Sequence, residues 1–103
     1  MISENEKQNI KKDLVSCLRA EKEIRRIVIF GSFLKSSDPH DLDVAVFQDS
    51  DEKYLPLAMK YRKKIRTISG RMPVDIFPLR MDSEGGFFMD EIRCGEVIYE
   101  KRN

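Results

Sequence analysis

Apolar residues recur at helical spacing at Ile10, Leu14, Cys17 and Leu18. They predict a helix from about residue 4 to about residue 22. Ser3 and Glu6 stand where a capping box would open it, the hydroxyl and the carboxylate each reaching the other's backbone N–H. Cys17 lies on the apolar stripe and reads as a buried structural thiol. Arg26 to Phe30 turns β-branched and continuously apolar, which predicts a strand covered on both faces. Gly31-Ser32 ends it. Residues 33–36 fit one helical turn, and Ser37-Asp38-Pro39 fit a loop. Asp41 to Phe47 is the second predicted strand. Side chains alternate along a strand, so Leu42, Val44 and Val46 share one face and Asp41, Asp43 and Ala45 the other.

Gln48 to Lys53 is a polar connection. Tyr54, Ala58, Tyr61, Ile65 and Ile68 then step by four and three, giving one helical stripe that Gly70 stops. Pro56 falls in the first turn of that helix, where a missing N–H is harmless. Val74 to Phe77, between Pro73 and Pro78, predicts a third strand with one carboxylate, Asp75, in an apolar setting. Asp82-Ser83 suits the cap of a final helix through Phe87, Phe88, Ile92 and Cys94, stopped by Gly95. Glu96 to Glu100 alternates and reads as a closing edge strand. The order αββαβαβ predicts an α/β (α+β) fold, a small mixed sheet with flanking helices.

Length and composition narrow this picture. A chain of 103 residues suits a single domain, residues 1–103, with one core. The formal net charge of +1 gives no overall drive toward nucleic acid or membrane. Nothing approaches the roughly 20 apolar residues of a membrane span, and the amino terminus lacks a signal-peptide core. Cys17 and Cys94 form no CxxC pair, so a cytoplasmic protein with reduced thiols is expected. One histidine, His40, excludes a histidine-rich metal site and argues against a Ser-His-Asp triad. Charge is segregated, however. Residues 38–52 hold six acids and no Lys or Arg, and residues 60–71 hold six basic residues and no acid. Such a juxtaposition suits metal and phosphate, or two solvated faces.

The carboxylates carry the chemistry. Residues i and i+2 of a strand lie about 7 Å apart on one face. Asp75 joins Asp41 and Asp43 if its strand pairs beside theirs. Three carboxylates that close repel, and a hard divalent cation resolves the repulsion. Mg²⁺ suits such oxygen donors, and a pair of such ions aligns an attacking hydroxyl with a leaving pyrophosphate. Gly31 allows close backbone approach to a phosphate, and Ser32 adds a hydroxyl donor.

Gly31-Ser32, Asp41-Leu42-Asp43-Val44 and Val74-Asp75-Ile76, taken together, resemble the signature of the DNA polymerase beta-like nucleotidyltransferase superfamily. The segment from Asp90 to Tyr99 is similar to the close of its minimal, stand-alone branch. The resemblance runs from Ile27 to about Tyr99. It implies the nucleotidyltransferase fold, ATP or another nucleoside triphosphate as donor, and two Mg²⁺ ions. By that match Asp41, Asp43 and Asp75 are the metal-binding and catalytic carboxylates, with Asp75 a possible base, and Gly31 and Ser32 contact the triphosphate. The Gly-Ser to Asp-x-Asp gap is eight residues, shorter than is common in the family, and lacks its usual arginine. Lys35 stands in that region as a substitute phosphate contact, a point charge without the guanidinium fork.

With no acceptor-binding domain in the chain, the acceptor is expected to be another protein. For a minimal nucleotidyltransferase the resemblance implies pairing with a HEPN-domain toxin, the small protein being an antitoxin that transfers AMP to a hydroxyl, expected to be a tyrosine, of its partner. Two further readings are a contact-only binding module, with Phe87, Phe88 and Met89 as interface candidates, and a small-molecule nucleotidyltransferase whose pocket a homo-oligomer completes. Nucleic-acid extension ranks last, for want of a template-binding domain.

Overall fold

The computed structural model describes residues 2–82 and 89–102. The first helix, α1 (Glu4–Leu18), opens on the predicted capping box: the Glu6 N–H donates to Ser3 Oγ at 3.1 Å, and the Ser3 N–H donates to Glu6 Oε1 at 3.5 Å. It stops at Leu18, short of the expected residue 22. Beyond Leu18 the helical stripe would fall on charged Glu21 and Lys22, so nothing apolar holds another turn, and Glu21 instead turns the chain into β1 (Ile24–Phe30). After β1 come α2 (Ser32–Lys35), β2 (Leu42–Gln48), α3 (Tyr54–Lys64), α4 (Arg66–Ser69), β3 (Val74–Arg80), α5 (Met89–Arg93) and β4 (Glu96–Glu100).

The four strands form one mixed sheet in the order β3-β2-β1-β4. β1 runs antiparallel to β2 and to β4, and β2 runs parallel to β3. β4 is an edge strand, as expected. β3 is the other edge, and it continues through Pro78 to Arg80 where a stop after Phe77 was expected. An edge strand has one open side, so a residue without an N–H does not break its ladder.

Side-chain alternation divides the interior in two. One cluster sets Ile10, Leu14 and Leu18 of α1, with Leu57, Tyr61 and Ile68 of α3 and α4, against Ile27, Ile29, Leu42, Val44 and Val46 of the sheet. On the other face Val28, Phe30, Ala45 and Phe47 pack with Met89 and Ile92 of α5. β1 is therefore covered on both faces, as its unbroken apolar run requires.

The long helix expected from Tyr54 to Gly70 breaks at Ile65, whose ψ of 23° separates α3 from α4. Ala58, Tyr61, Ile65 and Ile68 keep the stripe buried, but Tyr54 is 51% exposed and lies outside it. The α3–α4 basic run is partly neutralised by acids of the first helix and the turn after it: Lys60 binds Glu21 at 3.0 Å and Glu23 at 2.9 Å, Lys64 binds Glu21 at 3.2 Å, and Arg71 binds Asp13 at 2.9 Å. The buried Tyr61 hydroxyl donates to Glu23 at 2.8 Å. Cys17 is half-buried against the first cluster, and both cysteines are free. Ser83, Phe87 and Phe88 lie outside the described residues, so the predicted start of the last helix and most of the interface candidate do too. Met89, the remaining member, is buried.

Gly95 joins α5 to β4 where the turn presses on β1. A Cβ at this position would lie 2.5 Å from the Ile29 carbonyl oxygen and 2.9 Å from Val28 Cγ1. Backbone and a β-branched side chain give little room for adjustment. Gly95→Ala is expected to destabilise the fold by about 1–3 kcal/mol through overpacking, read as a fall in the urea midpoint with unchanged m-value.

Candidate active site

Register places the acids. Phe30 at the end of β1 pairs with Asp43 of β2, and Asp43 pairs with Asp75 of β3. In parallel strands at matched positions both side chains leave the same sheet face, about 4.8 Å apart at the backbone. Asp41 sits two residues before Asp43 and shares its face. The Leu42 N–H donates to the Pro73 carbonyl oxygen at 2.9 Å and closes the β2–β3 ladder beside them. Asp41, Asp43 and Asp75 consequently bring one carboxylate oxygen each within 4.8 Å of one another.

The electrostatics of this cluster are uncompensated. Burial, first of all, and the charges of Asp41, Asp75 and Glu91 together raise the Asp43 pKa to about 6. Among the described residues no cation offsets them at Asp43. The basic helix α3 packs on the other sheet face, with Leu57 and Tyr61 against the cluster that contains Val44, so it does not sit beside Asp43 as the charge segregation of the sequence allowed. Three oxygen donors that close, unneutralised by the protein, match the preference of a hard divalent cation.

Gly31 is fitted to the same carboxylate. Its φ of +82° is the one positive value among the described residues. A Cβ there would stand 2.7 Å from Asp43 Oδ2. Both the backbone conformation and the space demand glycine. The Gly-Ser turn therefore owes its glycine to the carboxylate beside it, a reason additional to phosphate approach. Ser32 is the first residue of α2, and Gly31, Ser32 and Lys35 line one cleft of about 440 Å³ with Leu34, Asp90, Glu91 and Cys94. His40 is exposed in the loop that leads to Asp41.

Glu91 was missed by the sequence reading. Its only local signal is an acidic pair, Asp90-Glu91, just ahead of Gly95. What directs it at the carboxylates is the docking of α5 on β1 through Met89 and Ile92, a tertiary contact.

The raised Asp43 pKa has a consequence for the metal-free protein. A carboxyl that holds its proton more tightly when folded stabilises the fold below its unfolded pKa of about 3.9. That contribution is lost as pH rises through about 6. Asn at this position cannot ionise, so Asp43→Asn escapes that loss: at about pH 7.5 the variant is expected to exceed the wild type by about 1 kcal/mol, allowing for solvent screening at this partly exposed position. At about pH 4 the difference disappears, and urea titrations across the pH range without divalent ions check both points.

The family described as polymerase beta, nucleotidyltransferase, matches residues 12–103. No curated protein sequence matches significantly. Among solved structures, the chain is similar to one from the complex of tri-AMPylated Shewanella oneidensis HEPN toxin with MNT antitoxin. The TM-score is 0.64 at 16% identity, covering 92% of this chain and 73% of that one. It is also similar to a chain of the MntA–HepT toxin–antitoxin structure, with TM-score 0.61 at 15% identity, covering 91% and 73% respectively. At such identities the likeness is one of fold, and the family match carries the assignment. With its mixed sheet, its Gly-Ser turn and its three clustered aspartates, this chain belongs to the polymerase beta nucleotidyltransferase family.

Proposed function

We propose that this protein is the antitoxin of a HEPN-type pair and transfers AMP from ATP to a tyrosine hydroxyl of its partner. The observation that carries the reading is the convergence of Asp41, Asp43 and Asp75 within 4.8 Å, with Gly31 against Asp43. The partner class is supported by the two structural neighbours, both solved as complexes of toxin with antitoxin. The carboxylates lie at the β3 edge of the sheet, with Asp75 exposed, so an acceptor carried by a second protein has access.

In this reading Asp41, Asp43 and Asp75 hold Mg²⁺, which supplies neutralisation for the triphosphate and the departing pyrophosphate. Ser32 and Lys35, beside Gly31 in one cleft, contact the phosphates. The acceptor hydroxyl attacks the α-phosphorus in line. A new P–O bond forms there, the bond to the oxygen bridging the β-phosphorus breaks, and pyrophosphate leaves. Asp75, the exposed member of the triad, takes the hydroxyl proton. Positioning and charge stabilisation account for most of the rate.

The test combines the purified protein, the product of its neighbouring gene, ATP and Mg²⁺, with intact mass recorded for both chains. Steps of one AMP mass on the partner are expected. Asp41→Ala/Asp43→Ala is expected to lower the rate by about a thousandfold or more, as is removal of divalent ions. An unchanged mass in a stable complex would replace catalysis by neutralisation through contact. Neither transfer nor complex would refute the protein partner and turn the search to small-molecule acceptors. Independently of any partner, Mg²⁺ is expected to raise the thermal midpoint of the wild type by a few degrees and to leave that of Asp43→Asn unchanged.

A further inference from the structure

Lys7 is the one charged side chain in the buried interior of the described residues, only 8% exposed. It occupies the core-facing stripe of α1, three residues before Ile10 and seven before Leu14. An apolar residue there would be cheaper to bury. The lysine is spent on α2 instead. Its Nζ donates to the Ser36 carbonyl oxygen at 2.7 Å and stands 5.4 Å from the centroid of the buried Phe33 ring. Ser36 caps the end of α2, and Phe33 is its second residue. One residue on, the Ser37 carbonyl oxygen accepts from the Ile2 N–H at 3.2 Å. The whole segment from Gly31-Ser32 toward Asp41 thus hangs from the start of α1 and the residue ahead of its cap. Lys7 does not line the cleft of Gly31, Ser32 and Lys35. It opens on a separate groove with Gln8, Lys11 and Glu96.

We propose that Lys7 is a positioning residue: by anchoring α2 it sets the place of Gly31-Ser32 and of Asp41 relative to Asp43, and so the affinity of the site for a nucleoside triphosphate. The inference rests on the nucleotidyltransferase reading above. It assigns nucleotide affinity to a hydrogen bond on the far side of α2.

The experiment titrates a non-hydrolysable ATP analogue with Mg²⁺ into the full chain by calorimetry and records urea midpoints in parallel. Lys7→Met keeps the stem and removes the donor. It is expected to weaken analogue binding about tenfold, the worth of one charge-assisted hydrogen bond. Lys7→Arg keeps charge and donors and is expected to bind within about threefold of the wild type. Lys11→Met makes the same change of charge one turn along α1, at a lysine bound to exposed Glu96, and is expected to bind as the wild type does. Equal losses in Lys7→Met and Lys11→Met would reduce the effect to overall charge and overturn the proposal. So would a Lys7→Met protein with a lowered urea midpoint and unchanged affinity, since its lysine would be structural only. If Lys7→Met does not fold, Ile2→Pro removes the other hydrogen bond to the segment. Weakened binding then supports the anchoring from α1, and unchanged binding overturns it. Absence of analogue binding by the wild type would remove the nucleotide reading itself, a result distinct from all of these.

Discussion

Repulsion among three carboxylates, held together by strand register, is the constraint on which this structure turns. Asp43 lies between Phe30 and Asp75 across the sheet, so no exposed route carries it away from its neighbours without breaking β-ladders on both sides. Burial and like charges both favour its protonated form. The fold tolerates this because the cost falls on one partly exposed face, while the other face holds the larger apolar cluster from α1, α3 and α4. Stability comes from one side of the sheet and reactivity from the other, an arrangement open to a sheet whose strands alternate in this way.

The glycine at position 31 belongs to the same constraint. Its left-handed φ turns the chain out of β1 at the level of Asp43, and the missing Cβ leaves room for the carboxylate. Turn and acid are therefore coupled sterically before any ligand is present. A substitution at either alters the other, which gives the Gly-Ser and Asp-x-Asp elements a physical reason to occur together.

Much of this was legible in the chain. The alternation from Asp41 to Phe47 gave the correct faces, the Ser3/Glu6 pair gave the correct helix start, and the apolar run to Phe30 gave a strand buried on both sides. These are local patterns with one dominant period. The errors arose where tertiary contacts decide. The break at Ile65 leaves the buried stripe intact, so periodicity could not reveal it. The continuation of β3 through Pro78 depends on its being an edge, which no local signal states. The basic run looked like a partner for the acids, but two of its lysines bind Glu21 and Glu23 on the opposite side of the sheet. Glu91 joins the site only because α5 docks on β1.

The contrast between Lys60 and Lys7 shows how this small domain uses its cations. Lys60 bridges two acids near the surface, and its strengthened charge state follows from those hydrogen bonds. Such a pair holds α3 to the turn before β1 and contributes modestly. Lys7 donates instead to a main-chain carbonyl at the end of α2. A main-chain acceptor fixes backbone position directly, whereas a pair of flexible side chains leaves it free to drift. With Asp43 and Asp75 on strands, but Asp41 just ahead of β2 and the Gly-Ser turn at the start of a four-residue helix, the site has a rigid half and a half that needs support. A buried ammonium on the longest helix of the described residues provides that support from within the core that folds the protein.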